Sequence, residues 1–332
     1  NGDIGGCIDS AYEMLYMIAQ EQPAEGIRKQ IIEYCFTAFD KQIYSGWDWH
    51  IGVLRIASLL LKTEEETERI FKQIDKAQRS DYEREEAQSI KYDILLKTKG
   101  EKTAEKYLEQ NITNSNLRRE AIQKALKNKN YEKVISIAQD GVDYDKKDKP
   151  GLAIEWYDWL LKISQAQNDT EKIREYSRLL FIDNFRHEQD YYQILKQNVK
   201  PEKWNTFVEE VIQDITSKKQ WLDSGLIASI LIKEEWWNRL LELVKKSPDL
   251  NTIERYEKYL SKNYAIEIID LYAIAVIKYM KNSMGRDHYQ NACKYLRKII
   301  KLGARDKANE IITFFRAEYP KRKALMEELS KV

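Results

Sequence analysis

The sequence predicts an all-α fold in which antiparallel helix pairs stack into a right-handed superhelix, an α-solenoid. Apolar residues recur at the helical spacing of three to four residues along the whole chain, and alternating strand-like runs are absent. Glycine and proline, which interrupt helices, number only 12 and 5 among 332 residues. A chain of this length exceeds one compact core, so an elongated stack of repeats is the expected arrangement.

Nineteen helices follow from these apolar stripes. The first ten are expected at 3–21, 25–40, 47–62, 64–78, 81–98, 101–110, 115–128, 131–140, 150–166 and 169–183. The other nine are expected at 188–197, 201–216, 221–233, 235–246, 250–262, 264–281, 287–302, 305–318 and 320–331. Most joints are short and carry Gly, Asn, Asp or Ser, which suits antiparallel neighbours.

Four helices open with a Glu-Lys pair, which indicates an internal repeat. The glutamates are Glu101, Glu132, Glu171 and Glu202, with successive spacings of 31, 39 and 31 residues. Periods of this size are typical of stacked helix pairs. Around "GEKTAEKYL", Ala104 and Leu108 resemble the second helix of the tetratricopeptide motif, so we describe the repeats as tetratricopeptide-like.

A charged joint, "DGVDYDKKDKPG" at 140–151, is the expected boundary between two halves of one continuous solenoid. We therefore expect N-terminal repeats at 1–145, C-terminal repeats at 146–281 and a helical cap at 282–332. The chain also begins "NGDIGG" without methionine, which suggests a piece of a longer protein.

Catalytic and metal-binding motifs are missing from the sequence. The three histidines (His50, His187 and His288) have no His or Cys at i+3 or i+4, and no P-loop, GxGxxG or GxSxG occurs. The three cysteines stand far apart, which favours a reducing, cytoplasmic setting. The apolar runs are too short for a membrane span, and no signal peptide opens the chain. We predict that the chain is not an enzyme, and no small-molecule substrate is evident. An enzyme whose site cannot be recognised from the sequence stays open as an alternative, beside the binding functions given below.

Two adjacent tryptophans, Trp236 and Trp237, form the first candidate site. Adjacent side chains on a helix diverge by about 100°, so one of the two is expected to be exposed. Core packing is one interpretation, and an aromatic anchor for a partner protein is the other.

The charge distribution gives the second candidate site, because the net charge of +1 hides a strong polarity. Residues 1–50 hold 8 acids and 3 Lys or Arg, whereas residues 278–332 hold 14 Lys or Arg and 6 acids. Within the basic end, cations lie opposite the apolar stripe of the helix at 287–302, and a cluster opens the last helix after Pro320. The candidate contacts to an anion or nucleic acid are Arg286, Lys294, Arg297, Lys298, Lys301, Arg305, Lys321, Arg322 and Lys323.

A structural interpretation of these cations stays open beside the binding one. A helix N-terminus carries partial positive charge, so cations in the first turn of the last helix are unexpected there. In the structural interpretation, they would lie beside the C-terminal carbonyls of the 305–318 helix and compensate their partial negative charge, with Glu310 or Glu318 as ion-pair partners.

The C-terminal runs "GRDHYQNACKYLRKIIKLG" and "ANEIITFFRAEYPKRKALMEEL" together resemble the C-terminal end of bacterial SWIM zinc-finger proteins. The matching elements are the helix at 289–296, the joint at 316–320 and the pairs at 324–325 and 328–329. The resemblance implies a helical region that follows a zinc module of the form CxCx(n)CxH. No CxC occurs here, so zinc would belong to a module upstream of Asn1 and no cofactor is expected within this chain.

Together these observations predict a non-enzymatic helical scaffold that binds another protein. The alternative is nucleic-acid binding through the basic C-terminal face, which would weaken steeply with salt.

Overall fold

A computed structural model describes residues 2–77, 80–183, 190–218 and 224–332, and all regular secondary structure in this part of the chain is helical. The chain divides into two compact units, Asn1–Glu202 and Lys203–Val332. The first unit contains α1 Gly2–Gln20, α2 Glu25–Asp40, α3 Trp49–Leu59, α4 Glu64–Ile74, α5 Asp81–Lys99, α6 Glu101–Gln110, α7 Ser115–Lys127, α8 Tyr131–Asp145, α9 Pro150–Gln167, α10 Thr170–Asp183 and α11 Tyr191–Asn198. The second contains nearly all of α12 Pro201–Lys218, then α13 Ser224–Lys233, α14 Trp237–Lys246, α15 Leu250–Leu260, α16 Ala265–Asn282, α17 Arg286–Lys301, α18 Arg305–Glu318 and α19 Lys323–Leu329.

Within each unit the helices pack in sequence order. In the first unit, α2 packs on α3 and α5 on α6, and each helix from α7 to α10 packs on the one that follows it, ending with α10 on α11. In the second unit, each helix from α13 to α17 packs on the one that follows it, and α19 packs on α17. Next-but-one contacts such as α3 with α5, α5 with α7 and α16 with α18 join successive pairs. This arrangement confirms the predicted all-α helical-repeat fold, and the handedness of the superhelix stays a prediction.

A core of aliphatic and aromatic side chains runs between the helices. In the first repeats, Phe36, Leu54, Leu60 and Ile70 are fully buried. Helix α1 joins this core through Tyr12, whose ring lies against Gly52 of α3 and whose hydroxyl donates to the Gly52 carbonyl over 3.3 Å. A Cβ at position 52 would stand 2.8 Å from that ring, so only glycine allows the contact.

The predicted end of α8 near residue 140 was wrong. Helix α8 continues through Gly141 to Asp145. A Cβ on Gly141 would lie 2.9 Å from both the Arg118 side chain and the Trp156 ring, so this glycine allows close packing and does not break the helix. The joint at 140–151 therefore lies inside the first unit, and α8 packs closely on α9. The domains expected at 1–145, 146–281 and 282–332 stay predictions.

The predicted start of the last helix was also wrong. Pro320 and Lys321 form a turn, in which the Arg322 amide donates to the Tyr319 carbonyl over 3.0 Å, and α19 begins at Lys323. Two of the three clustered cations therefore precede the helix.

Candidate functional site

The two adjacent tryptophans lie at the start of α14, after a tight turn. Glu235 adopts the left-handed conformation (φ 56°), and the Trp236 amide donates to the Leu231 carbonyl over 2.8 Å. Helix α14 is fixed behind this turn by its buried residues Leu240, Leu241 and Val244. The turn therefore keeps both indole rings near the surface, where each is half-buried.

These indoles line a cleft of about 440 Å³ in the second unit. Its lining residues are Trp236, Trp237, Asn238, Arg239, Tyr264, Glu209 and Glu235. The Arg239 guanidinium lies 4.7 Å from the centre of the Trp236 ring and pairs with the Glu209 carboxylate of α12. Trp237 stacks on Tyr259, with 6.1 Å between ring centres and 12° between planes. Arg239 of the same helix, anchored to Glu209, therefore holds the Trp236 ring, and Tyr259 of α15 holds the Trp237 ring.

The chemistry of this cleft suits binding. Among the described residues, its lining contains no His, Cys, Ser or Lys, and of its two carboxylates, Glu209 pairs with Arg239 and Glu235 lies in the turn before α14. Tyr264, half-buried like the indoles, adds a third aromatic surface. Aromatic rings with one polar end bury large area at low entropic cost, which is why they anchor interfaces. Both predicted tryptophans thus lie at one open cleft, beside partners that the sequence did not identify.

Two of the predicted basic residues hold α17 against α15. Lys294 lies 2.9 Å from Glu254, and Lys298 lies 3.1 Å from Glu254 and 2.6 Å from Glu257. The hydrogen bond from Lys294 lowers the pKa of Glu254 to about 2, and the Tyr295 hydroxyl also donates to this carboxylate over 2.8 Å. These two lysines are therefore committed to packing inside the unit.

Arg286 likewise forms ion pairs inside the unit, in this case with carboxylates of α19. Its guanidinium lies 2.5 Å from Glu327 and 3.1 Å from Glu328, and the Glu328 side chain is only 4% exposed.

Arg322 also serves packing, although with other partners than expected. It donates to the carbonyls of Met280 (3.3 Å) and Ser283 (3.4 Å), and it lies 4.0 Å from the centre of the Tyr319 ring. Arg322 thus contacts the carbonyls at the C-terminal end of α16, and the expected contact with the end of α18 was wrong for this residue. The reason is the turn at Pro320, which directs the chain back towards α16.

Five of the predicted cations are exposed and form no ion pair with any described residue. They are Arg297, Lys301, Arg305, Lys321 and Lys323. Of the nine predicted contacts, these five remain available to an external anion in the part of the chain that the structure describes, and binding of an anion there stays a prediction.

The cleft partners Glu209 and Arg239 left a weak signal in the sequence. They are 30 residues apart, and the pairs Arg69–Glu33 and Arg119–Glu155 each span 36 residues. Opposite charges separated by about one repeat therefore mark contacts between neighbouring helix pairs. Such a spacing becomes informative only once the repeat length is known.

Membrane spans and metal sites are both absent from the described part of the chain. Within the described ranges, no helix combines the length and apolar character needed to cross a membrane. Likewise, no group of three His, Cys, Asp or Glu side chains in these ranges could hold a metal ion. His187 lies outside the described residues.

Comparison with known proteins gives no relative: no protein-family model, curated protein or solved structure matches this chain. The resemblance to SWIM zinc-finger proteins therefore stays a prediction.

Proposed function

We propose that this chain is a non-enzymatic helical-repeat scaffold that binds a segment of another protein in the cleft at Trp236 and Trp237. The observation that carries the proposal is the side-by-side exposure of two indoles and Tyr264 around one cleft. Tryptophan, tyrosine and arginine are the residues that most often dominate binding energy at protein interfaces, and all three types line this cleft. Its volume of about 440 Å³ is large enough for side chains of an extended segment.

The proposal also includes the cellular compartment of this scaffold and the longer protein to which it would belong. All three cysteines are free, as a reducing cytoplasm would keep them. We further propose that the chain is the helical region of a longer SWIM zinc-finger protein, whose zinc would be held by an upstream module. Sequencing the reading frame before Asn1 tests this point, because a CxCx(n)CxH pattern is expected there.

Peptide selection tests the cleft and can reveal which segments it binds. A displayed library of random peptides is selected on the wild-type chain, and the enriched peptides are labelled for fluorescence anisotropy. Replacing both Trp236 and Trp237 by alanine should weaken binding by about tenfold or more per hot-spot residue. The matched control is Trp47→Ala, because Trp47 is also an exposed indole (63% exposed) but belongs to the first unit.

Circular dichroism of each variant shows whether the helices are intact. Enriched peptides that bind the double-alanine variant as tightly as the wild type would refute the cleft as the binding site. A selection that enriches no peptide would refute segment binding by this chain.

Nucleic-acid binding is the second candidate function, supported by the five exposed cations that form no ion pair with any described residue. The test is anisotropy of labelled single- and double-stranded DNA and RNA across a salt series. Replacing Arg297, Lys301, Arg305, Lys321 and Lys323 by glutamine should reduce affinity and flatten the salt dependence. Lys294 and Lys298 are left unchanged, because their carboxylate partners join α15 to α17.

A further inference from the structure

Helix α1 presents an acidic face with two exposed methionines at its centre. Met14 and Met17 are 59% and 58% exposed, and their spacing of three residues places them next to each other on the helix surface. Glu13 and Glu21 flank them, are exposed and form no ion pair with any described residue. The opposite side of α1, with Tyr12, faces α3. We call these four residues the acidic methionine face.

A second exposed methionine surface lies at the other end of the sequence, in a basic setting. Met284 is 71% exposed in the turn between α16 and α17. Lys281 precedes it on the last turn of α16, and Arg322 donates to the Ser283 carbonyl, so the backbone segment that carries Lys321 and Lys323 on either side of Arg322 runs beside this turn. These three lysines are exposed and have no carboxylate partner in the described ranges. We call Met284 and these lysines the basic methionine turn.

The two surfaces match in character and oppose each other in charge. Residues 1–77 carry 13 acids and 8 Lys or Arg, and residues 278–332 carry 14 Lys or Arg and 6 acids. All three methionines are more than half exposed, so each surface is open to a partner. Flexible methionine side chains adapt readily to an apolar partner, and opposite charges around them favour encounter and fix the register.

We propose that the acidic methionine face of one copy of this chain docks on the basic methionine turn of a second copy. Such a contact is heterologous, because each copy contributes a different surface. It would therefore leave one free surface of each kind on a dimer, so larger assemblies can form as concentration rises. The contact is independent of the cleft at Trp236 and Trp237.

The first measurement is sedimentation velocity of the wild-type chain over a concentration series at low and at high salt. Mass should rise with concentration at low salt and fall when salt screens the opposite charges. Met14→Lys/Met17→Lys alters only the acidic face, and Met284→Glu/Lys281→Glu alters only the basic turn. Each should weaken association by about tenfold or more, the range seen for central interface residues.

Mixing the two variants is the decisive experiment. Each variant keeps one intact surface, so a mixture can form one heterologous contact and should give a 1:1 dimer without larger species. The matched control is Ile266→Glu, because Ile266 is 74% exposed but lies near the start of α16, about 25 Å along the helix from Met284. This control and the variant with both cleft tryptophans replaced should associate like the wild type.

Three results would overturn the proposal. The first is a monomer at every concentration and salt, which would mean that something other than this chain covers these surfaces. The second is association that neither charge-altered variant weakens. The third is a mixture of the two variants that fails to form the dimer, which would indicate a symmetric contact. Circular dichroism of each variant excludes loss of folding as the cause.

Discussion

The buried ion pair between Arg118 and Asp145 makes the most direct prediction about stability. The two side chains, on α7 and α8, are 1% and 3% exposed and lie 2.9 Å apart. Trp156 of α9 donates its indole N–H to the same carboxylate oxygen over 2.7 Å. Asp145→Asn keeps the size of the side chain but removes its charge, so the buried guanidinium loses its counter-ion.

The expected cost is large because Asp145 is the carboxylate that pairs with Arg118 among the described residues, whereas Asp140 attracts the guanidinium without forming an ion pair. Removing one partner of a buried pair typically costs about 3–5 kcal/mol, since the remaining charge stays out of water. Burial already lowers the pKa of Arg118, and its Nε forms no hydrogen bond with any described residue. Asp143→Asn is the matched control: it lies on the same helix, its pair with Lys146 is exposed, and water screens such a pair so that it contributes little to stability.

Urea unfolding followed by circular dichroism measures the free energy, and hydrogen exchange by mass spectrometry locates the change at α7–α9. The double variant Arg118→Met/Asp145→Leu should recover most of the loss, apart from about 1–3 kcal/mol for the indole N–H left without an acceptor. If Asp145→Asn costs no more than Asp143→Asn, the reasoning about the uncompensated charge is refuted.

Three further outcomes are expected. Glu254→Gln should lower stability by about 1–2 kcal/mol near neutral pH. Because the pKa of this carboxyl is depressed from 4.5 to about 2, the difference in stability between the variant and the wild type should be full above pH 4.5 and vanish as the pH falls towards 2. A difference in thermal midpoints that does not change with pH would contradict this. Gly52→Ala should cost about 1–3 kcal/mol because the new Cβ meets the Tyr12 ring, and Tyr12→Ala should remove this extra cost in the same thermal assay. Iodoacetamide at neutral pH should modify the exposed Cys7 and spare Cys35 and Cys293, because burial raises the pKa of their thiols to about 12 and about 11. Peptide masses before and after unfolding verify this, and rapid labelling of either buried thiol in the native protein would contradict it.

The helices could be predicted because each carries its own apolar stripe. Helix α17 is an example: the predicted residues Tyr289, Cys293, Leu296 and Ile299 are all buried. Such a stripe depends on residues three and four apart, so local sequence contains it entirely. Helix ends were harder to predict where glycine occurs, because glycine can either end a helix or allow close packing inside one, as Gly141 does in α8.

Whether a given cation forms an ion pair or stays exposed could not be predicted from the sequence of its own helix. Lys298 and Lys301 are three residues apart, yet Lys298 pairs with Glu257, 41 residues earlier, while Lys301 is exposed without an ion pair to any described residue. The difference depends on which residues α15 places opposite, and this follows only from packing. The same holds for the cleft, because the sequence identified Trp236 and Trp237 but not the Glu209 and Arg239 beside them.

One long-range contact has a mechanical consequence. Most contacts in the first unit join adjacent or next-but-one helices, so a stretching force would detach helix pairs singly from an end. Lys149, just before α9, pairs with Glu85 of α5 over 2.7 Å and 64 residues of sequence. Ser115 of α7 donates to the same carboxylate over 2.9 Å. Three successive repeats are thereby fastened at one side chain, and under tension they would yield together, as a single larger step in extension.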